Sequence, residues 1–420
     1  VNFGDFVRRC HRAGKLVVQP RMGMSSPARM RAGLLATKNA NATTVGTITL
    51  DSFTRNGDLA SVERALRDGV GLNGYPIVHY DPDVTRAMLD GVMAADFPVQ
   101  VRHGSARPLP IMKALAAAGL HATEGGPVSY CLPYGRTPLA ESVRNWAACC
   151  AVLRDSVEGE PHVETFGGCM MGQLCPPSQL VALSVLEAMF FYQHGMRSIS
   201  VSYAQQTSVA QDLEALAALR RLCAQLLPHA RWHVVVYAYM GLYPRTPAGA
   251  MTLLGKAAEL AVRSGSERLI VKTVAEAHRI PTIEENVSAL EHAAAVAGGT
   301  VAHAPAREPD GGQVYAEAYT LVEAVLNCGS DIGAALSTAF RRGLLDVPYC
   351  VHPDNAGRTR SFIDTDGRLQ WADIGSLPLS GVVGRRRSRS VTAADLMEAL
   401  SHIQRVFDAE ALEQANRRAL

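Results

Sequence analysis

Short β-branched runs alternate with longer Ala/Leu-rich runs of helical period from Leu16 to Lys272, and this alternation constrains the fold more than any other feature. The runs that read as strands are Leu16 to Gln19, Thr47 to Leu50, Ile77 to Tyr80, Val99 to Arg102, Leu120 to Thr123, Val163 to Phe166, Ser198 to Tyr203, Val234 to Tyr237 and Leu269 to Lys272. One is surplus to an eight-stranded barrel, and Ile77 to Tyr80 is the weakest. About eight βα repeats over roughly 280 residues suit an α/β fold of the (β/α)8 TIM-barrel type, whose usual size is ~250 residues. Between strands, Ser178 is placed to cap a helix that runs to Tyr192 and stops near Gly195, and Gln211 to Leu227 reads as an outer helix. After Thr300 the pattern changes to a Pro/Gly-rich loop near Ala304 to Gly312, a helical run from Val314 to Asn327 and an irregular tail. The expected division is therefore a barrel over 1–303 and an appended C-terminal region over 304–420.

Composition narrows the function classes. Hydrophobic residues make up 48% and charged residues 19% of the 420, a balance that suits a well-buried enzyme rather than a disordered chain. A net charge of +2 argues against a dedicated nucleic-acid binder, and the short basic run Arg385 to Arg389 reads as a solvated linker. Nine cysteines without a C-x-x-C pair fit reduced thiols in a cytoplasmic protein, and no signal-peptide pattern opens the chain. The longest uncharged run, Phe166 to Leu186, holds Gly, Gln, Ser and a Pro-Pro pair and is not expected to span a membrane.

In a parallel α/β protein the C-terminal strand ends form the ligand face, because the strand centres are sealed between helices. Three arginines close a strand or the loop directly after it: Arg21 in VQPRMG, Arg55 in TLDSFTR and Arg102 in VQVRHG. A guanidinium grips a carboxylate through two parallel hydrogen bonds and stays charged when partly desolvated, so three of them at one barrel mouth suit a small dicarboxylate. Any one alone is better explained by a structural salt bridge or by solvent exposure; the shared position marks the set. Glu124 precedes Gly125-Gly126, where backbone can approach a ligand, and its carboxylate can bind or exchange a proton with an ammonium group. By sequence alone it is equally a cap or loop residue. Tyr130 and Tyr134 are phenolic donors or ordinary core tyrosines. Lys272 and Glu276 form either an i,i+4 ion pair or a pair able to grip a ribose diol.

Several matches fail. Gly69 to Gly74 satisfies G-x-G-x-x-G but precedes a strand instead of opening a helix. His162-Val163-Glu164 with Cys175 lacks the P-C-x-x-C that a zinc deaminase requires, and no metal site is expected. No His has Asp two positions before it, so the cobalamin-binding D-x-H-x-x-G signature is missing.

Taken in order, VQPRMG, TLDSFTR, LNGYP, VQVRHG, TEGGPVSY, CLPYGR, ETFGG with CPPS, LIVKTVAEAHRIPT and DVPYCVHPDNAG resemble the epsilon (large, catalytic) subunit of glutamate mutase, also called methylaspartate mutase. The resemblance implies a (β/α)8 barrel facing a separate small, cobalamin-binding (sigma) subunit that shares adenosylcobalamin, with a homodimer of large subunits inside a heterotetramer. It implies substrate binding by Arg21, Arg55, Arg102, Tyr130 and Tyr134, a catalytic Glu124 near the substrate amino group, and Lys272 and Glu276 on the adenosyl ribose. The implied reaction is the reversible radical rearrangement of L-glutamate to (2S,3S)-3-methylaspartate, in which fragments of the substrate are held and recombined. The alternatives are a related amino or hydroxy dicarboxylate, or a barrel that binds a dicarboxylate without catalysis. The segment before Arg21 is shorter than the family's usual N-terminal region, which bears on dimer and partner contacts. Pro127 replaces a third glycine, Cys131-Leu132 replaces Asn-Val, and Tyr237-Ala238-Tyr239 stands where the family has His-Gln-Trp.

Overall fold

Eight strands run parallel around one ring: β1 (Val17–Gln19), β2 (Gly46–Thr49), β3 (Val99–Arg102), β4 (Ala122–Gly125), β5 (His162–Thr165), β6 (Ser198–Ala204), β7 (Arg231–Tyr237) and β8 (Arg268–Ile270). These are seen in a computed structural model that describes residues 2–157, 159–171, 174–301, 312–383 and 390–419. Strands adjacent in sequence pair with each other, and β8 pairs with β1. Closure comes between β1 and β2, where Val18 bridges Thr44 and its N–H donates to the Thr43 carbonyl at 2.9 Å. The ring is a (β/α)8 TIM barrel, as the alternation of runs predicts.

The differences from the sequence reading have local causes. Ile77 to Tyr80 is a turn, not a strand: Pro76 offers no N–H to a ladder, and its carbonyl accepts from His79 N at 3.0 Å. β4 begins two residues later than Leu120, because the preceding helix ends only at Ala117 and Gly119 turns the chain in the left-handed region at φ +75°. That shift puts Glu124 inside the strand instead of after it. Ser178 does not cap its helix, which spans Pro177–Gln193 with Pro176 at the cap position; the Ser178 hydroxyl donates to Glu317 at 2.6 Å. The tail is not irregular. It holds a helix over Ile332–Arg342, an antiparallel hairpin of β9 (Arg360–Ile363) and β10 (Leu369–Asp373), and a helix over Ala393–Ala419. The expected loop near Ala304 to Gly312 falls almost wholly, and Arg385 to Arg389 entirely, outside the described residues.

The barrel is filled with polar side chains where branched apolar ones are usual. Gln19, Gln100, Glu164, Ser200 and Arg268 point inward from five strands and are completely buried. Arg268 bonds Gln19 and Glu164, and reaches Ser200 Oγ at 3.0 Å and Gln100 Oε1 at 3.3 Å. Such a layer is tolerable because nearly every donor meets an acceptor. Below it His162 bonds Ser198 at 2.9 Å and Ser200 at 3.1 Å and stacks on His233. Burial, reinforced by the Arg268 charge, holds both imidazoles well below their usual range and therefore neutral.

The floor of the barrel is closed by the helix Phe3–Arg12, capped by the Asn2 side chain on Asp5 N at 3.1 Å. Its apolar face, Phe3, Phe6 and Val7, packs with Val17, Val45 and Ala122. Phe3 stacks on His162 at 5.0 Å and lies under the Arg268 guanidinium. At the other end of the chain, Ile403 and Phe407 of the last helix pack on Tyr239 and Tyr243, while Asp408 accepts from Thr246 N at 2.8 Å and Arg245 N at 3.1 Å. Thr246 caps the helix Pro247–Arg263 on Gly249 N at 3.2 Å, and the Asp408 carboxylate, which also accepts from the Thr246 hydroxyl at 2.6 Å, holds that cap residue in place.

Candidate active site

At the carboxyl end of β3 and β4 the side chains of Arg102 and Glu124 meet, Nε to Oε2 at 2.7 Å, both almost fully buried. Two phenols complete the carboxylate's shell. Tyr237, the last residue of β7, donates to Oε2 at 2.7 Å, and Tyr130, from the loop after β4, donates to Oε1. The Tyr237 hydroxyl also bonds Glu164, so the mouth is coupled to the polar layer beneath. A phenol has one proton, so at any instant it donates to only one of these carboxylates. Burial of Arg102 opposes its charge, but the Glu124 carboxylate beside it outweighs that and keeps the guanidinium protonated. Burial, reinforced by the Glu124 charge, pushes both phenols far up, so they act as neutral donors.

Local backbone explains why these groups meet. Gly125 has φ +137°, and a Cβ there would sit 2.5 Å from Trp146 and 2.6 Å from Tyr130. Only glycine lets the chain turn out of β4 so that Tyr130 folds back over Glu124. The Tyr130 ring is held by Phe166 at 5.0 Å, by the edge of His103 at 5.1 Å and by Tyr134 at 6.0 Å. Tyr134 itself is 53% exposed at the rim.

Arg55 ends a short helix, Ser52–Asn56, that follows β2 and is capped by Asp51 on Phe53 N and Thr54 N, both at 2.9 Å. It lies against Gly104, and its guanidinium has no hydrogen-bonding partner among the described residues, although its Nε is buried. Beside it the His103 imidazole is pushed down to about 3, by burial first and by the Arg55 charge next. His103 accepts from Ser105 N at 3.0 Å through Nδ1 and stacks on Trp146, leaving Nε2 buried and unbonded among the described residues. Arg102 also bonds protein only through Nε; its two Nη groups form a second, free edge among the described residues.

A second cluster stands at the ends of β1 and β8. Glu276, in a 3-10 turn over Val274–Ala277, takes Arg21 at 3.0 Å and Lys272 at 3.5 Å on the same oxygen. Lys272 lies over the Tyr243 ring at 4.9 Å, and burial lowers its ammonium pKa despite Glu276. The Tyr239 hydroxyl is buried and lacks a partner among the described residues. The Tyr134 phenol lies within electrostatic reach of Arg21, Glu124 and Arg102, which links the two clusters.

All eight residues singled out in the sequence thus sit at the carboxyl end of the barrel, in two linked groups, with Arg55 beside His103. Three others went unrecognised. Tyr237 stood out only as a departure from a motif. Glu164 figures in the sequence only within a failed zinc signature and as the first residue of ETFGG, with no role attached. Glu187 is the single charge in the apolar helix Pro177–Gln193, which was its available signal. Among the described residues no group of three or more His, Cys, Asp or Glu is arranged to hold a metal ion, and no helix is long and apolar enough to cross a membrane.

A closed parallel barrel with ion pairs and unpaired guanidinium edges gathered at its carboxyl end defines a TIM-barrel protein with a polar, recessed mouth. The chain belongs to the methylaspartate mutase E chain (MutE) family, whose model matches residues 1–401. It is similar to the glutamate mutase epsilon subunit of Treponema denticola, at 28% identity over 354 residues that cover 79% of this chain and 71% of that one. The epsilon subunit of Escherichia coli O157:H7 is 26% identical over 389 residues, covering 88% and 80%. That of Haloarcula marismortui is 26% identical over 392 residues, covering 89% and 79%. The chain is therefore a member of a mutase family, as its motifs indicated.

Proposed function

We propose that the chain is the catalytic subunit of an adenosylcobalamin-dependent glutamate mutase, interconverting L-glutamate and (2S,3S)-3-methylaspartate. The observation that carries this reading is the pairing of opposite needs at one mouth. Arg55 and the Nη edge of Arg102 lack protein acceptors among the described residues, while beside them Glu124 is a buried carboxylate. An amino dicarboxylate has the complementary charges. Its carboxylates match the forks of Arg55 and Arg102, with Arg21 at the rim, and its ammonium matches Glu124. Glu124 already accepts from Arg102, Tyr130 and Tyr237, which leaves about one of its four lone-pair positions for a substrate N–H. Tyr130 and Tyr134 would border the substrate, and the two ends held apart in this way keep both fragments aligned during rearrangement.

The adenosyl end of the cofactor fits the second cluster. Glu276 can accept from a ribose diol, Lys272 can donate to it, and the buried Tyr239 hydroxyl is a free donor nearby. When bound, adenosylcobalamin supplies the radical chemistry. The chain's own part is to orient the substrate and exclude water.

Exposed apolar side chains near the mouth support docking of a small cobalamin-binding (sigma) subunit over it: Phe53 in the short helix after β2, Leu242 after β7, Ile280 after β8, and the 92% exposed Val351, whose neighbours Cys350 and His352 bond the segment after β4. In this reading residues 1–303 are the catalytic barrel and 304–420 its appended region. The assembly is a cytoplasmic heterotetramer built on a homodimer of large subunits.

The test is anaerobic incubation with a cobalamin-binding small subunit, adenosylcobalamin and L-glutamate, followed by mass and chromatographic detection of 3-methylaspartate. Product that requires both subunits is expected. Its absence, with the small subunit proven active beside a known large subunit, would overturn the reading. The single open acceptor position on Glu124 also suits a hydroxyl donor, so competition between glutamate and its 2-hydroxy analogue separates the parent substrate from a related dicarboxylate.

A further inference from the structure

We infer that Glu187 is a positioning residue that holds the loops after β4 and β5 so that Tyr130 and Phe166 are fixed around Glu124. Its role in substrate binding rests on the proposed function. Its role in loop order does not.

Glu187 lies in the helix Pro177–Gln193, wholly buried behind the mouth, and touches none of the groups assigned to the substrate. Five donors converge on its carboxylate. Val128 N at 3.2 Å and Ser129 N at 2.9 Å bond one oxygen; Ser129 Oγ at 3.0 Å, Phe166 N at 3.2 Å and Gly167 N at 2.8 Å bond the other. The first three come from the segment between Glu124 and Tyr130, the last two from the segment after β5. Tyr130 N donates in turn to Gly126 O at 3.2 Å, so the anchored turn carries the phenol that bonds Glu124. Phe166 packs against both phenols of the Glu124 shell, Tyr130 at 5.0 Å and Tyr237 at 5.6 Å. One side chain therefore sets two walls of the pocket.

The fit is specific to a carboxylate. Two oxygens offer about four lone-pair positions, enough for converging N–H groups with one shared, whereas an amide offers one acceptor and turns two donors toward the other N–H groups. Space is equally restrictive: a Cβ at Gly126 would lie 2.0 Å from the Glu187 carboxylate. Burial pushes the Glu187 carboxyl up to about 7, while these same donors pull it down by favouring the carboxylate.

The experiment compares wild type, Glu187→Gln and the milder Ser129→Ala by amide hydrogen exchange and by calorimetric titration with L-glutamate. In Glu187→Gln the amides of Val128, Ser129, Phe166 and Gly167 should exchange at least tenfold faster, while those of β1 and β8 at the floor stay unchanged. The Kd for L-glutamate should rise at least tenfold at an unchanged number of binding sites. Ser129→Ala should move both readouts in the same direction by less, and it serves if Glu187→Gln fails to fold. Unaltered exchange at the four amides would overturn the inference, as would freed amides with an unaltered Kd. If wild type itself does not bind L-glutamate, the proposed function fails, and the exchange data alone decide the role of Glu187 in ordering the loops.

Discussion

Arg102 has two edges with different duties: Nε holds Glu124 at 2.7 Å, and the Nη pair faces away from any protein acceptor among the described residues. Lysine has one ammonium and cannot occupy both positions, so Arg102→Lys should lower kcat/KM by ~2 kcal/mol or more, tens-fold, in steady-state kinetics. Unchanged kinetics would remove Arg102 from the site. His103 makes a prediction about acid. Its folded pKa of about 3 lies below the unfolded value of ~6.5, so its contribution to stability is complete above pH 6.5 and shrinks as pH falls toward 3. At pH 5 the loss is ~2 kcal/mol. His103→Gln should therefore lose less melting temperature than wild type between pH 7 and pH 5, and equal losses would show the ring titrating normally. Arginines at strand ends were legible in the sequence as a set, because three of them share the position just after a strand, although a salt bridge accounts for any one alone. Glu187 was not, because its five partners come from two loops that no local pattern joins to the helix.

Strands were easier to read than their registers. β-branched content marks each run, but the pairing that decides where a strand starts is not local, and β4 moved two residues so that Glu124 entered it. The polar layer was hidden for the same reason. Arg268 and Glu164 lie 104 residues apart in the chain, and nothing near either announces the other. With both side chains at 0% exposure, Arg268→Met should cost ~3–5 kcal/mol in denaturant unfolding, because Glu164 is left buried and unpaired. Adding Glu164→Gln to that variant should recover part of the loss. A double variant no more stable than the single one would show that the charge is not the source of the cost.

Across the whole molecule the two terminal helices brace opposite ends of the barrel. The last helix backs Tyr239 and Tyr243 under Lys272, and Asp408 reaches across to hold Thr246, the cap residue of Pro247–Arg263. Asp408→Ala should cost ~1 kcal/mol, the usual net loss for a removed hydrogen-bonding group, measured as a fall in thermal midpoint. A midpoint that does not move would leave the last helix held by its apolar contacts alone. The irregular tail expected from composition proved to be ordered helices and a hairpin, because its apolar residues find partners only in the folded barrel's outer helices. At the opposite end, Phe3–Arg12 blocks the axis with Phe3 fully buried. With the floor closed, the mouth is the doorway for ligands. A partner seated over that doorway would impose an order on turnover: substrate loads before the subunits close, product leaves after they part, and the lifetime of the complex sets an upper limit on how fast the cycle repeats.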